Sequence, residues 1–354
     1  METVEIADLR NLRQVTCELH PGLNVFVGRN AQGKTTLLEA VGLLARGRSF
    51  RTDDVKTLIR RGAERLVARG TARDDRHRTR LEVEVASAGR RLRVDGRDVT
   101  PGRYHGRLEV AVYSTDRLRV VRGPMRERRQ FVDRAAGALW PAYRQVARDY
   151  ERVVRQRNAA LEQGARDRDT WDERLCDVGA RLRHRRAAYV ERLRERLDRS
   201  SGGHGEHYDI RVVPGMEEGG EAAHLARLQA ETAERRGDER RARRSLVGPH
   251  RDPVELTVDG QEAALFASAG QARSLLLALT LAVLDVYEAE QGQSAVALLD
   301  DLDSELDEER ATRVCATVAA RGQALVTTAH ESWARRLAAM GRVFSVEEGR
   351  VSAA

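Results

Sequence analysis

The spacing of hydrophobic positions along the 354-residue chain changes twice. In the first third, short apolar runs and alternating segments predict strands, among them Leu23–Val27, Leu81–Val85 and Leu108–Tyr113. From Pro124 to about Arg199, apolar residues recur at helical spacing among Arg and Glu, which predicts long charged helices. A strand-rich pattern returns after Gly248. We therefore predict an α/β domain that is interrupted by a helical insertion.

The last third predicts a second set of strands around a buried apolar helix. Residues 272–287 are mostly apolar, which predicts a buried helix. The predicted strands are Val254–Val258, Ala295–Leu299, Ala324–Thr327 and Val343–Val346. We expect a discontinuous domain made of residues 1–115 and 245–354, with residues 116–244 as the helical insertion.

A phosphate-binding loop is the strongest chemical signal in the chain. Residues 28–35, with the sequence GRNAQGKT, fit GxxxxGK[ST] and lie between a predicted strand and a helix predicted over 36–45. In such a loop, backbone N–H groups hold phosphate oxygens, the lysine neutralises phosphate charge and the hydroxyl reaches Mg²⁺. The chain has only two lysines, Lys34 and Lys56. The expected ATP contacts are Gly28, Arg29, Asn30, Ala31, Gln32, Gly33, Lys34, Thr35 and Thr36.

Two carboxylates follow the apolar strand Ala295–Leu299. We expect Asp300 to hold Mg²⁺ together with Thr35, because a phosphate-binding loop needs an acid from a neighbouring strand. Asp301 points elsewhere and is the candidate for polarising the attacking water. With Lys34, it is an expected catalytic residue.

Another possible anion site precedes the buried helix. In the segment Ala267-Ser-Ala-Gly-Gln271, Ser268 and the following N–H groups are expected at a helix N-terminus, which attracts phosphate. Taken alone, this segment is better explained as an ordinary helix cap.

The charge of the chain favours a polyanionic partner. The net charge is +7, and aromatic residues are only 4% of the total, too few for a platform that stacks single-stranded bases. Arg-rich surface without aromatics favours phosphate contacts on duplex DNA, although each such arginine can also be merely solvated. The candidate contacts are Arg48, Arg51, Arg60, Arg61, Arg126, Arg128 and Arg129.

The sequence indicates neither a targeting segment nor a structural role for its cysteines. The N-terminus has neither the basic nor the apolar region of a secretory signal, and no apolar run is long enough for a membrane span, so we expect a cytoplasmic protein. The three cysteines, Cys17, Cys176 and Cys315, are far apart, which argues against a disulfide framework or a zinc site.

Taken in order, these motifs resemble the SMC-like family of ABC-type head ATPases. The segment 267–271 is similar to the family's signature loop, 304–307 to its D-loop, and 326–330 to its switch-histidine segment. The resemblance implies that His330 is catalytic and that the signature and D-loop act across a dimer. The residues implied are Ser268, Gly270 and Gln271 in the signature, and Ser304 and Asp307 in the D-loop.

The 240 positions between Gly28 and Ser268 indicate a short-armed DNA-repair member of that family. The phrases that carry this resemblance are 28–39, 48–51, 248–252, 266–273 and 299–307. It implies an ABC-type P-loop head with a mixed sheet interrupted by a helical arm, and an ATP-dependent homodimer that hydrolyses ATP slowly with stimulation by DNA. It also implies binding to duplex DNA at gaps and junctions, help to RecR and RecO in loading RecA, and support of the SOS response.

One motif of the family is missing, and three other functions compete. No glutamine follows Tyr113 where the Q-loop is expected, and Asp116 is the candidate replacement. A transporter ATPase subunit is disfavoured by the long insertion, and a nuclease partner or nucleotide-gated structural protein by the lack of a separate carboxylate cluster. A scaffold with an inactive loop is disfavoured by intact Lys34, Thr35 and Asp300.

Overall fold

The protein folds into two compact units. A computed structural model describes residues 1–73, 77–163, 169–200, 205–304 and 306–354, without the side chains of 198–200 and Ser304. The first unit contains Met1–Leu118 and Tyr287–Ala354, and the second contains Arg119–Val286. Residues 245–286, which the sequence pattern assigns to the strand-rich domain, pack within the second unit.

The described elements are fifteen strands and eleven α-helices, with short 3₁₀ turns between them. The strands are β1 Thr3–Leu9, β2 Leu12–Glu18, β3 Leu23–Val27, β4 Arg65–Arg73, β5 Arg78–Ala86, β6 Gly89–Val94, β7 Arg97–Asp98, β8 Val110–Tyr113, β9 Tyr208–Val212, β10 Val254–Val258, β11 Gln261–Glu262, β12 Val296–Leu299, β13 Ala324–Thr328, β14 Gly341–Glu347 and β15 Arg350–Ala353. The helices are α1 Lys34–Arg46, α2 Pro101–Tyr104, α3 Arg119–Arg122, α4 Met125–Leu139, α5 Pro141–Gln163, α6 Asp169–Ser200, α7 Gly220–Ala242, α8 Ala263–Phe266, α9 Ala269–Gln291, α10 Glu308–Arg321 and α11 Glu331–Leu337.

A mostly parallel sheet forms the centre of the first unit. Its order is β15-β14-β3-β13-β12-β8, and only β15 runs antiparallel to its neighbour. β3, β8, β12 and β13 are buried along their whole length, which is why their sequences are nearly continuous apolar runs. The strands predicted at these positions are confirmed.

The antiparallel strands of the first unit form a separate sheet. Its order is β2-β1-β4-β5-β6-β7, with every pair antiparallel. Helix α1 shares one hydrophobic core with both sheets, to which it contributes Leu37, Leu38, Val41 and Leu44. Because α1 begins directly after the predicted phosphate loop, burial of its apolar face fixes the direction in which that loop opens.

The second unit is built on long helices and a small sheet. Helices α5, α6 and α7 pack side by side, and β9, β10 and β11 form a three-stranded antiparallel sheet. Helix α9 is long and apolar enough to cross a membrane by length and composition, and 56% of its most apolar window is buried inside the protein. Core helices of globular proteins pass the same test, and Leu275, Leu276 and Leu279 of α9 are buried.

Buried ion pairs join the helices of the second unit. The Arg157 guanidinium on α5 bonds to Asp172 of α6 at 2.8 Å and to Glu239 of α7 at 2.5 Å, and it donates to the Ser245 hydroxyl at 2.8 Å. Its side chain is 3% exposed and that of Glu239 is 1% exposed. A charge at this depth is tolerated only while its partners stay in place.

We expect Glu239→Ala to lower the free energy of unfolding by about 3 kcal/mol, because it deprives the buried Arg157 of a partner. The matched control is Asp238→Ala on the preceding residue, whose carboxylate pairs with Arg235 and Arg241 in solvent. Urea unfolding should show a clear drop in midpoint for the first variant and almost none for the second. Equal midpoints would show that the buried pair does not hold the helices together.

Candidate nucleotide site

The ends of four parallel strands define the candidate site. Strands β3, β8, β12 and β13 run in the same direction, so their carboxyl ends meet at one edge of the sheet. The residues that follow these strands are Gly28, Ser114, Asp300 and Ala329. Open α/β sheets bind ligands at this edge, which is where the predicted phosphate loop lies.

Backbone geometry shapes the phosphate loop. A Cβ on Gly28 would overlap the carbonyl oxygen of Val346, so only glycine allows this close approach. Gly33 has a φ of +113°, in the region that favours glycine. The Lys34 ammonium donates to the carbonyl oxygens of Gly28 at 2.6 Å and Arg29 at 2.9 Å, which places it inside the loop.

Hydrogen bonds also join the phosphate loop to neighbouring segments of the chain. The Asn11 amide donates to the carbonyl oxygen of Ala31 at 3.2 Å and accepts from the Thr36 hydroxyl at 3.2 Å. On the other side, Gln32 accepts at its carbonyl oxygen from the Gly349 N–H at 3.1 Å. Arg29, Asn30 and Ala31 form the exposed crest of the loop. The loop is therefore preorganised, and its crest is open to a ligand.

The Asp300 carboxylate connects three chain segments. It accepts hydrogen bonds from the hydroxyls of Thr35 at 2.9 Å, Thr327 at 2.8 Å and Ser114 at 3.2 Å. Burial raises the pKa of Asp300, and these three hydroxyls partly offset that rise. The sequence prediction named Thr35 and Asp300, and the structure brings their side chains together. The sequence prediction did not name Ser114 or Thr327.

The Asp301 side chain is directed by an unusual backbone. Its φ is +54°, a left-handed conformation that costs free energy for any residue except glycine. The Asp301 N–H donates to the Thr327 hydroxyl oxygen at 2.8 Å, which helps to hold this conformation. The same Thr327 hydroxyl therefore donates to the Asp300 carboxylate and accepts from the Asp301 N–H.

Charges near the loop are balanced around Lys34. Burial lowers the pKa of Lys34, while the carboxylates of Asp301, Asp300 and Asp303 act to raise it. A lysine bonded to loop carbonyls, beside a hydroxyl paired with a carboxylate, matches the donor set that a nucleotide triphosphate and Mg²⁺ require. The residues present therefore fit both groups, and Thr35 and Asp300 are the residues that would hold the metal ion.

His330 lies at the start of α11, with 65% of its side chain exposed. Its Nδ1 is 3.1 Å from Oδ2 of Asp303, a residue that the sequence prediction did not include. Asp307, from the predicted D-loop, caps α10 by accepting from the N–H of Arg310 at 2.8 Å. The side chain of Ser304 lies outside the described residues.

The segment similar to a signature loop belongs to the second unit. Ser268 and Gln271 form a reciprocal cap, in which the Gln271 N–H donates to the Ser268 hydroxyl at 3.1 Å and the Ser268 N–H donates to the Gln271 side chain at 2.8 Å. Gly270 follows in the first turn of α9. Leu265 and Phe266, just before this cap, are 72% and 65% exposed, unusual values for large apolar side chains.

Asp116, the candidate replacement for the Q-loop glutamine, lies in a 3₁₀ turn after β8. Its carboxylate accepts from Arg51 at 2.6 Å, and Arg51 is also 3.8 Å from Glu39, which is fully buried on α1. Asp116 is therefore linked through Arg51 to the helix that follows the phosphate loop. Arg10 completes this cluster with bonds of 2.5 and 3.0 Å to Glu39.

The candidate DNA arginines differ in exposure. Arg48, Arg61 and Arg126 are exposed, whereas Arg60 pairs with Asp8 at 2.6 Å and Arg129 donates to the carbonyl oxygen of Asp252 at 3.0 Å.

Arg128 corrects the sequence prediction. Its side chain is 3% exposed and bonds to Glu262 and to the carbonyl oxygen of Val254, both within the second unit. A guanidinium held in this way cannot also reach a phosphate, so the prediction of a DNA contact at Arg128 is wrong.

Comparison with known proteins places the chain in a family. Residues 1–352 match the family model for the RecF/RecN/SMC N terminal domain. The DNA replication and repair protein RecF of Symbiobacterium thermophilum is 36% identical, with 99% of this chain and 97% of that protein covered. The chain belongs to the RecF family. RecF of Acidothermus cellulolyticus is 34% identical over 93% of each chain. The family is one of DNA replication and repair proteins.

Solved structures agree with this assignment. The recombination mediator protein RecF-ATP in the RecFOR pathway matches with a TM-score of 0.91 and 25% identity, covering 100% of this chain and 97% of that one. A Smc head domain from Pyrococcus furiosus matches with a TM-score of 0.57 at 14% identity, which shows the fold alone. The predicted ABC-type head with a mixed sheet and a helical arm is thereby confirmed as the fold class of this RecF-family chain.

We expect Gly28→Ala to weaken ATP binding strongly and to lower the free energy of unfolding by about 2 kcal/mol, because the new methyl group overlaps the Val346 carbonyl. Gly237→Ala is the matched control, since Gly237 lies in α7 with open space around it. There alanine should stabilise the protein by about 0.5–1 kcal/mol. Fluorescent-nucleotide titration and urea unfolding measure both effects. Unchanged ATP binding in Gly28→Ala would contradict the shape assigned to the loop.

Proposed function

We propose that this RecF-family chain is an ATP-dependent recombination mediator that binds duplex DNA at gaps and at junctions of single-stranded and double-stranded DNA. The observation that carries the proposal is the preformed phosphate loop, with the Lys34 ammonium inside it and the Thr35 hydroxyl on the Asp300 carboxylate. A chain that only held other proteins together would gain nothing from this arrangement. ATP and Mg²⁺ are the cofactors proposed.

In the proposed mechanism, residues 28–36 bind the phosphates of ATP through backbone N–H groups, and Lys34 neutralises their charge. Thr35 and Asp300 would hold Mg²⁺, and the ion, when bound, would supply charge that polarises the phosphate oxygens. Asp301 orients the attacking water and accepts its proton. His330 is proposed to contact the terminal phosphate. Since the family hydrolyses ATP as a switch, we propose a slow, DNA-stimulated ATPase with no other catalytic activity.

Dimerisation is the proposed consequence of ATP binding. The N-terminus of α9 at Ser268, Gly270 and Gln271 is proposed to face the terminal phosphate held by a second copy, and the Ser268 and Gln271 N–H groups would exchange their cap partners for phosphate oxygens. Two exposed apolar residues, Leu265 and Phe266, flank this cap and support the proposal that the segment is covered in a dimer. Asp307 and Ser304 would then lie in the D-loop of the same interface. A twofold dimer of this kind contains two equivalent ATP sites.

DNA binding is proposed to depend on phosphate contacts from exposed arginines. Arg48, Arg61 and Arg126 are exposed, and Arg51, Arg60 and Arg129 could contribute only by exchanging their present partners for phosphates. Such contacts carry no base sequence information. They make the affinity fall steeply as salt rises.

The proposed cellular role follows from the relatives. RecF-ATP is described as a recombination mediator of the RecFOR pathway. We propose that this chain works in the cytoplasm with RecR and RecO to load RecA at gaps, and so supports the SOS response. We propose that residues 1–115 and 245–354 form its head and that residues 116–244 form its arm.

We expect Lys34→Ala to abolish the ATP dependence of DNA binding, because the alanine leaves the β- and γ-phosphate charge without its counterion. Fluorescence anisotropy of a labelled gapped duplex, with and without ATP and Mg²⁺ at two salt concentrations, measures it. The wild-type protein should bind more tightly with ATP and more weakly in high salt.

The matched control is Lys56→Ala, which removes the other lysine of the chain. Lys56 lies on the surface, and its ammonium bonds to the carbonyl oxygen of Ser87. This variant should keep the full response to ATP. Binding by wild-type protein that ignores ATP, or that is absent at low salt, would overturn the proposed function.

We expect Asp301→Asn to prolong the life of the ATP-bound dimer, because slower hydrolysis delays loss of the terminal phosphate. The amide cannot accept a proton from water, so hydrolysis should fall by roughly 10²-fold or more. Light scattering after ATP addition measures the dimer lifetime, with Lys34→Ala as the variant that forms no ATP-dependent dimer. A lifetime equal to that of the wild type would remove Asp301 from the role assigned to it.

A further inference from the structure

A buried carboxylate that no sequence motif predicted lies beside His330. Asp303 follows β12 in the 3₁₀ turn Leu302–Ser304, and its side chain is 4% exposed. Its Oδ2 accepts a hydrogen bond from the Thr328 hydroxyl and is 3.1 Å from Nδ1 of His330. The Thr328 hydroxyl oxygen in turn accepts from the backbone N–H of His330 at 2.9 Å. These two hydrogen bonds and the 3.1 Å contact between Nδ1 and Oδ2 link the three residues in a closed ring.

This ring determines which imidazole nitrogen carries the proton. An ionised carboxylate repels the lone pair of a nitrogen 3.1 Å away and attracts an N–H, so the nitrogen that faces Asp303 is the one that bears hydrogen. That nitrogen is Nδ1, which leaves Nε2 on the opposite side of an imidazole that is 65% exposed. The backbone bond from His330 to Thr328 fixes where the side chain starts, and the 3.1 Å contact with Asp303 favours one orientation of the imidazole.

The position of Asp303 is costly for the fold. Within the described residues, its Oδ1 is buried and has no hydrogen-bond partner. Burial raises the pKa of the Asp303 carboxyl, and the Thr328 hydroxyl is the largest opposing influence. An alanine at position 303 would avoid the cost of this desolvated oxygen. Unfavourable burial of this kind is typical of residues that serve a site rather than stability.

We propose that Asp303 is a positioning residue that turns the His330 imidazole so that Nε2 is the atom presented to the terminal phosphate of the nucleotide. The geometry of Asp303, Thr328 and His330 supports the part of this inference that concerns the orientation of the imidazole. Only the identity of the group that Nε2 meets rests on the proposed function. Asp303 itself does not touch the nucleotide.

The tautomer of His330 is the direct test. Nitrogen-15 spectra of histidine-labelled full-length protein, recorded above the pH at which imidazole titrates, should show a protonated Nδ1 for His330. The signal is assigned by its loss in His330→Ala. Asp303→Ala should move the proton to Nε2, the form that free imidazole side chains favour in water, and Asp303→Asn should retain Nδ1–H because the amide oxygen can still accept. A tautomer that is unchanged in Asp303→Ala would overturn the proposal.

Hydrolysis measured in a double-mutant cycle separates positioning from a structural role. Loss of the carboxylate beside Nδ1 should lower single-turnover hydrolysis about tenfold or more in Asp303→Ala, with ATP affinity nearly unchanged. In the His330→Ala background the same substitution should have almost no further effect. An equal loss in both backgrounds would show that Asp303 acts without His330 and would overturn the inference.

The tautomer measurement and the hydrolysis measurement test different parts of the inference. If His330→Ala hydrolyses ATP at the wild-type rate while the tautomer still responds to Asp303→Ala, the positioning is supported and the proposed role of His330 in hydrolysis is wrong. Thermal unfolding of both variants shows whether either has lost its fold. The tautomer of Asp303→Asn then supplies the conservative comparison.

Discussion

A single buried carboxylate, that of Asp300, holds the nucleotide site of this protein together. Three hydroxyls donate to it, and they come from the start of α1, the end of β8 and the end of β13. Because each donor is anchored in a fully buried strand or helix, the site has its geometry before any ligand arrives. A one-residue slip in the register of β12 would turn Asp300 to the opposite face of the sheet and remove all three bonds.

The sequence predicted those parts of the fold whose burial leaves a clear pattern. Strands buried on both faces, such as Leu23–Val27, are apolar runs that stand out from their surroundings. The hairpin Thr3–Leu9 and Leu12–Glu18 was not predicted individually. Its residues alternate only partly, and its turn places Arg10 at a φ of +49° without a glycine to mark it. Half-buried strands in an Arg-rich chain are therefore difficult to predict from the sequence, and their pairing with neighbouring strands in the structure identifies them.

Within the site, the motif residues were predictable, whereas their hydrogen-bonding partners were not. The GxxxxGK[ST] pattern locates Gly28 to Thr35 because loop, lysine and hydroxyl are consecutive. Ser114, 186 positions away from Asp300, meets it only through the pairing of β8 with β12. Arg128 is a different case, since helical spacing puts it on the same face as Val132 and Ala135, both buried. The helical spacing that indicates burial of Arg128 was therefore present in the sequence, but it is difficult to recognise among the neighbouring arginines.

The number of arginines consequently overstates the surface available to DNA. Arg157, Arg183 and Arg186 each have side chains no more than 3% exposed and are bound to acids inside the second unit. These residues add to the formal charge of +7, but their fields are cancelled by adjacent carboxylates. An electrostatic footprint depends on exposed, unpaired guanidinium groups, because only they release counterions from a phosphate backbone. The salt dependence of the proposed DNA binding should therefore reflect a small set such as Arg48 and Arg61 rather than the composition of the whole chain.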